Sequence, residues 1–437
     1  MEKADALDAG KVIENASKIV IEEDRVAAFH KSKSKFLNVF SGWLGWVFES
    51  WDLVVLALAI PLLMKAWGMT LAEAGLLSTA TLGGMAIGAY SWGIISDKWG
   101  RKKTLVFCLA AFGILTMLCA FVSTWFQLMV LRVVTGFALG GEWAIGAALV
   151  SESFPTNQRA MANSIVGWGW PFGFFGALGV QWWLVPTYGW KVLFLSAVIT
   201  VVGAIWIAIY AKESPVWLRQ QEAKAKKSPV AASAPAQETT GWSVLFEKEN
   251  VKATVLCALV MISHSIAYWG LYSWLPAFLN NELKMTIHKT VLYLVVLNGG
   301  GMLGYVACAY LADRFGRKWS VYFGGFGSGA AVLLWMTATT PAMAYTMAAF
   351  TGFFTFGYWG PLGAFMAEQF RTKVRGTGLS FAYGTGRIFA AISPFILGTF
   401  AQAYSLKTAL MVLSVFFTFI SIATFFMKET KGEGLKD

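Results

Sequence analysis

The sequence predicts an all-α membrane protein of twelve transmembrane helices in two pseudo-symmetric six-helix bundles. Three observations predict it. Apolar stretches of roughly 20 residues recur along the chain, the length that crosses a hydrocarbon core of about 30 Å. Basic residues collect on alternate joints between them, and charged motifs of the first half return in the second at one constant offset. Composition agrees: 437 residues, 57% hydrophobic and 14% charged, with a mean hydropathy of +0.58, hold too much apolar material for a water-soluble fold of this size.

In chain order, residues 1–36 mix Glu, Asp, Lys and Arg without an apolar core or small-residue cleavage site, so they read as a cytoplasmic tail and not a signal peptide. Apolar segments follow over 37–63, 72–96, 104–123, 126–153, 160–185 and 190–211, forming a first bundle at 37–211. Residues 212–252 contain KAKKSPVAASAPAQETT, which cannot bury a core and reads as a flexible cytoplasmic linker. The second bundle, 253–427, holds segments at 253–279, 290–313, 319–337, 341–369, 374–401 and 406–427, and 428–437 is a short cytoplasmic tail. Gly, Trp and Phe occur throughout the segments instead of alternating with polar residues, which fits helices and not a membrane β-barrel.

The net charge of +11 raises the question of a nucleic-acid partner, but its placement argues against one. With the N-terminus inside, the tails and alternate joints hold 28 of the 35 Lys and Arg residues. Five (Lys65, Lys191, Lys284, Lys289 and Lys407) fall on the other face, and Arg132 and Arg387 lie inside apolar segments. The positive-inside rule thus predicts a multi-pass protein of the inner or plasma membrane, embedded in the lipid bilayer as a monomer, with both termini cytoplasmic. Cys108, Cys119, Cys257 and Cys308 all fall in apolar stretches, where a thiol behaves as a small hydrophobe. No disulfide or metal framework, nucleotide-binding loop or nucleophile constellation is seen, so no cofactor and no enzymatic chemistry is expected.

The repeat is the most informative pattern. Asp97-Lys-Trp-Gly-Arg101 recurs as Asp313-Arg-Phe-Gly-Arg317, Glu152 with Arg159 recurs as Glu368 with Arg375, and Lys212-Glu213 recurs as Lys428-Glu429, each displaced by 216 residues. GGEWAIGA aligns with FGYWGPLGA through Gly141 and Gly357, Trp143 and Trp359. Two bundles from one plan have an interface between them, where a midplane site is expected. The duplicated acid-base pairs read as a gate on the cytoplasmic side; topogenic charge alone is the other reading.

A charge inside a bilayer costs several kcal/mol unless it faces protein or water, so each intramembrane ionisable residue is a functional candidate. Glu49 and Asp52 are three apart on a helix, and each disfavours ionisation of the other. They read as proton carriers, or as a structural pair neutralised by Arg132. Glu142, between Gly140-Gly141 and Trp143, reads as a mid-helix protonation site, a substrate contact, or a buried partner of Arg132. Arg387 carries a planar fork suited to a carboxylate; it is a substrate anchor or an ion-pair partner of Asp52 or Glu142. His264 is a proton relay or a packing residue. Trp51, Trp143, Tyr268 and Tyr358 are candidate substrate contacts, with packing the other reading of each.

The loop GIISDKWGRKK and its partner AYLADRFGRK resemble the signature of the major facilitator superfamily, and KESPVW and KETKG are similar to its sugar-porter and metabolite-symporter branches. FESWDLV resembles the paired-acid motif of aromatic-acid and sialate or lactate proton symporters. GGEW resembles the metabolite and lactate branches, Ser263-His264-Ser265 the lactate-permease pattern, and Tyr-Gly-Thr-Gly-Arg387 the aromatic-acid and general metabolite branches. The resemblance implies the major facilitator fold and proton-coupled symport of a small organic anion, a monocarboxylate or aromatic acid, by alternating access. A betaine-like cation or zwitterion, a sugar acid such as sialic acid, and a non-transporting sensor remain open as alternatives.

Overall fold

The computed structural model describes residues 34–154, 162, 165–225, 242–337, 341–371 and 374–431, and no strand occurs among them. The first half contains α1 (Ser34–Trp67), α2 (Leu71–Trp99), α3 (Arg101–Leu118), α4 (Trp125–Leu139), α5 (Glu142–Ser153), α6 (Gly169–Trp183), α7 (Lys191–Leu195) and α8 (Val198–Tyr210). After α9 (Pro215–Ala225), the second half contains α10 (Val251–Asn281), α11 (Ile287–Phe315), α12 (Arg317–Met336), α13 (Pro341–Gly357), α14 (Trp359–Gln369), α15 (Arg375–Ala403) and α16 (Leu406–Phe425). The twelve expected segments are all present, with α4–α5, α7–α8 and α13–α14 each making one crossing in two pieces. Among the described residues, eight helices are long and apolar enough to cross a membrane by length and composition. Large apolar side chains face outward, Phe121, Trp183 and Leu303 each being about 70% exposed or more (71%, 75% and 69%); that surface suits lipid and not water.

Helix starts on the face away from the basic loops are capped within the chain. Thr70 and Glu73 form a reciprocal capping box at α2, and Thr286 and Ser405 accept from the backbone at α11 and α16. Such bonds satisfy donors that a helix end would otherwise leave open.

The repeat seen in sequence is a repeat in packing. Gly84 and Gly88 of α2 lie so close to α4 that a Cβ would overlap the Val133 and Phe137 carbonyls. Their copies Gly300 and Gly304 of α11 meet Ala349 and Phe353 of α13 in the same way. Gly136 and Gly352 return the contact, against the carbonyls of Thr81 and Leu297. Small residues let these helix backbones touch, which supplies van der Waals contact where lipid offers no hydrophobic drive. The kinks after Leu139 and after Gly357 sit at equivalent positions, and the first corrects the expectation of a mid-helix Glu142: the residue opens α5.

Two further differences concern the linker. The expected flexible run from 212 contains helix α9, whose start is set by Pro215 and by the Ser214 hydroxyl accepting from the Trp217 N–H at 3.1 Å. A short 3-10 turn spans Trp242–Phe246. The rest of that run, and the tail before residue 34, lie outside the described residues.

At the end away from the basic loops the two halves are in backbone contact. Gly75 of α2 abuts the Pro394 carbonyl of α15, and Gly398 of α15 abuts Leu71. Replacing Gly136 with Val is expected to cost about 1–3 kcal/mol through overpacking, read as a lower melting temperature in detergent. Gly83→Ala, which meets nothing within 4 Å, leaves the melting temperature unchanged.

Candidate functional site

Between the halves, on the side nearer the basic loops, lies a cavity of about 240 Å³. Its walls are mostly aromatic: Trp46, Trp143, Trp168 and Trp170 from the first half, and Tyr268, Trp269, Phe356, Trp359 and Tyr383 from the second. Besides tyrosine hydroxyls and indole N–H groups, polar atoms come from His264, Ser265, Asn298, Thr355 and Arg387. A small number of polar groups in an apolar cavity is the usual composition of a small-molecule site.

Arg387 projects from the first half of α15. Its Nη2 donates to the Tyr383 hydroxyl at 3.1 Å, and its guanidinium carbon sits 5.3 Å from the Tyr383 ring centre. The same nitrogen is 3.8 Å from Glu49 Oε1 of α1, within ion-pair range but beyond a hydrogen bond. The Glu142 side chain of α5 also neighbours Glu49, the two acids lying close enough to interact electrostatically. Both carboxylates are almost fully buried, and Glu49 Oε1 and Glu142 Oε2 have no hydrogen-bond partner among the described residues. Gly45 makes the acid pair possible, since a Cβ there would overlap the Glu142 carboxylate. Tyr383 also stacks on Trp143 at 5.1 Å with an interplanar angle of 23°. The first half therefore meets Arg387 both through a charge and through a ring.

Asp52 occupies a different cluster. Arg132 Nη1 and Nη2 donate to its two oxygens at 3.0 and 2.6 Å, Thr116 donates to it as well, and Arg132 Nε donates to Thr81 at 3.0 Å. Both charges are buried and mutually satisfied, and neither borders the cavity. Of the partnerships left open by the sequence, Arg132 takes Asp52, one acid of the pair it was expected to neutralise, and not Glu142, while Arg387 faces Glu49 and not Asp52. Three residues along a helix turn about 300° and climb about 4.5 Å, enough for the two acids to meet different neighbours.

The remaining candidates divide. His264 and Tyr268 line the cavity. Tyr358 is fully buried behind it and hydrogen-bonds His264 Nδ1 at 2.6 Å. Trp51 is not part of the cavity wall; its indole donates to Ser196 at 2.9 Å inside the first half. The expected gate residues form two equivalent networks, each confined to its own half. Arg101 pairs with Asp97 and Glu152, Ser214 donates to Glu152, and Glu213 accepts from the Lys102 N–H at 2.9 Å. In the copy, Arg317 pairs with Glu368, Thr430 donates to Glu368 at 2.6 Å, and Glu429 accepts from the Arg317 N–H at 3.0 Å. Gly100 and Gly316 adopt positive φ (102° and 118°) at the equivalent turns, which side-chain-bearing residues rarely do. Arg159 lies outside the described residues, as do the side chains of Asp313 and Arg375.

Sequence reading missed Tyr383, although it stands one helical turn before Arg387 in the same motif, and Trp46, one turn before Glu49. The i, i+4 and i, i+3 spacings were the available signal. Asn298 was missed too; its only mark is a polar side chain in the middle of an apolar segment.

The chain matches the family model described as Major Facilitator Superfamily over residues 42–308 and 291–437. It is 30% identical to a putative metabolite transport protein of Haemophilus influenzae, covering 90% of this chain and 96% of that one. It is 29% identical to the cis,cis-muconate transport protein of Acinetobacter baylyi, covering 92% and 95%, and 28% identical to the benzoate transport protein of the same organism, covering 87% and 85%. Among solved structures it resembles the inward-open xylose transporter XylE from E. coli, with a TM-score of 0.75 at 18% identity over 92% of this chain and 98% of that one.

Removing either partner of the buried Asp52–Arg132 pair leaves an uncompensated charge and is expected to cost about 3–5 kcal/mol. The double variant Asp52→Leu, Arg132→Met is expected to be more stable than either single one, as measured by thermal melting of the purified variants.

Proposed function

The chain belongs to the Major Facilitator Superfamily, and on that premise we propose that it carries a small organic carboxylate, an aromatic or monocarboxylic acid, together with protons. It is a multi-pass membrane transporter and not an enzyme; cargo and coupling are the parts proposed. The observation that carries the reading is the placement of Arg387. It is the charged side chain bordering an otherwise aromatic and uncharged cavity, with the Glu49–Glu142 pair directly behind it. Relatives named for muconate and benzoate transport support a carboxylate cargo.

In the proposed cycle, Arg387 alternates between Glu49 and the substrate carboxylate. Two neighbouring buried carboxyl groups disfavour joint ionisation, and in this cycle the pair starts with one proton. A second proton neutralises the pair and frees Arg387 to bind the substrate at close range, where a charge-assisted bidentate bond is favoured over the 3.8 Å contact with Glu49. Rocking of the halves then exposes the cavity on the opposite face, and loss of substrate and proton restores the starting pairing. The duplicated networks around Arg101 and Arg317 are assigned to the gate on the basic face. Asp52 and Arg132 support this cycle by fixing α1 against α4, beside the acid pair. One proton with one monoanion moves no net charge, so a pH difference drives accumulation by about 1.4 kcal/mol, or tenfold, per unit.

The test is uptake into proteoliposomes of labelled benzoate, cis,cis-muconate, short monocarboxylates, sialic acid and betaines, with and without an inward proton gradient. Gradient-driven accumulation of a carboxylate, insensitive to an imposed potential for a monoanion, is the expected result. Uptake of betaines alone, or uptake indifferent to the gradient, would overturn it. Arg387→Ala is expected to lower carboxylate uptake 10- to 100-fold, the value of a charged hydrogen bond. Glu49→Gln is expected to abolish gradient-driven accumulation while exchange of internal for external substrate continues.

A further inference from the structure

The imidazole of His264 stands in the cavity wall. Two rings lie nearly parallel to it, Tyr268 at 5.3 Å and Trp359 at 4.4 Å, each at an interplanar angle of 25°. Its Nδ1 is 2.6 Å from the hydroxyl of Tyr358. That hydroxyl is fully buried and has no other polar partner among the described residues. A buried O–H needs an acceptor, and Nδ1 is the atom in reach. Tyr358 therefore donates, Nδ1 accepts, and the ring proton is on Nε2. Nε2 has no partner among the described residues, while the ring borders the cavity.

Resting on the carboxylate reading above, we propose that His264 is a specificity residue: its Nε2–H reads a neutral hydrogen-bond acceptor on the substrate, in addition to the carboxylate held by Arg387. The preferred cargo is thus a cyclic acid bearing a hydroxyl, carbonyl or ring nitrogen. Arg387 is the only charged side chain among the described residues that border the cavity. A second carboxylate directed at His264 would be left without a countercharge in an aromatic enclosure, which is costly, so dicarboxylic ring acids are discriminated against. The flanking rings give the substrate ring faces to stack on and hold the imidazole in register. Of the two roles left open by the sequence, proton relay or packing residue, His264 takes neither alone in this reading and acts as a fixed donor.

The test is the dissociation constants of benzoate, 3-hydroxybenzoate, 4-hydroxybenzoate, nicotinate and 4-carboxybenzoate on the purified full chain, for wild type, His264→Phe and Tyr358→Phe. Phe at 264 preserves the stack and deletes the donor; Phe at 358 removes the group that fixes the tautomer. In wild type, at least one acid with a neutral acceptor binds tenfold or more tightly than both benzoate and 4-carboxybenzoate. That ratio falls to within twofold in His264→Phe and at least threefold in Tyr358→Phe. A wild-type ratio near one overturns the proposal without any variant, as does a ratio that survives in His264→Phe. Should His264→Phe not fold, Tyr358→Phe decides the same comparison. Absence of binding by every acid would instead remove the carboxylate reading, and this inference with it, whereas loss of the ratio alone leaves the carboxylate reading standing.

Discussion

The contact between Glu49 and Arg387 is the interaction on which the rest depends. Among the described residues it is the ion pair that joins a helix before the linker to one after it. It lies in an apolar bundle, where an unpaired charge costs several kcal/mol. The other ion pairs satisfy themselves within one half or near the linker: Arg132 with Asp52, Arg101 with Glu152, Arg317 with Glu368, Arg371 with Glu249. At 3.8 Å the central contact is loose. Asp52, by contrast, is held by two guanidinium bonds and a threonine hydroxyl. One acid of helix α1 is locked and the other is exchangeable, and the difference arises from neighbours and not from the acids themselves.

Glycine packing makes that arrangement rigid enough to matter. In each half two helices are in backbone contact, α2 with α4 at Gly84 and Gly136, and α11 with α13 at Gly300 and Gly352, which leaves each pair little freedom to relax. New helices begin at Glu142 and at Trp359, and Gly45 clears space for the Glu142 carboxylate.

Much of the frame was legible in the sequence because it is repeated. An offset of 216 residues connects Arg101 to Arg317, Glu152 to Glu368, and Glu213 to Glu429, and each pair has the same bonding role in space. That apolar segments recur along the chain was legible from length and composition, while their ends were not: the first helix runs over Ser34–Trp67 where 37–63 was expected. Pairing inside the bundle was less legible. Nothing in the spacing of Glu49 and Asp52 tells which faces Arg132, because partners from α3, α4 and α15 are set by crossing geometry. Trp51 and Trp143 look alike in sequence, yet one is spent on Ser196 and the other stacks on Tyr383 at the cavity edge. The helix inside the linker was hidden because its composition is polar and its start depends on one serine cap.

The repeat holds for the frame but not for the chemistry. The positions of Glu49 and Glu142 correspond in the second half to Ser265 and Tyr358, while those of His264 and Arg387 correspond in the first to Phe48 and Pro171. The acids thus lie in one copy and Arg387 and His264 in the other, although both copies contribute rings to the cavity. On the proposed cycle, a substitution in the second half can alter what is bound while leaving the acid pair of the first half as it is.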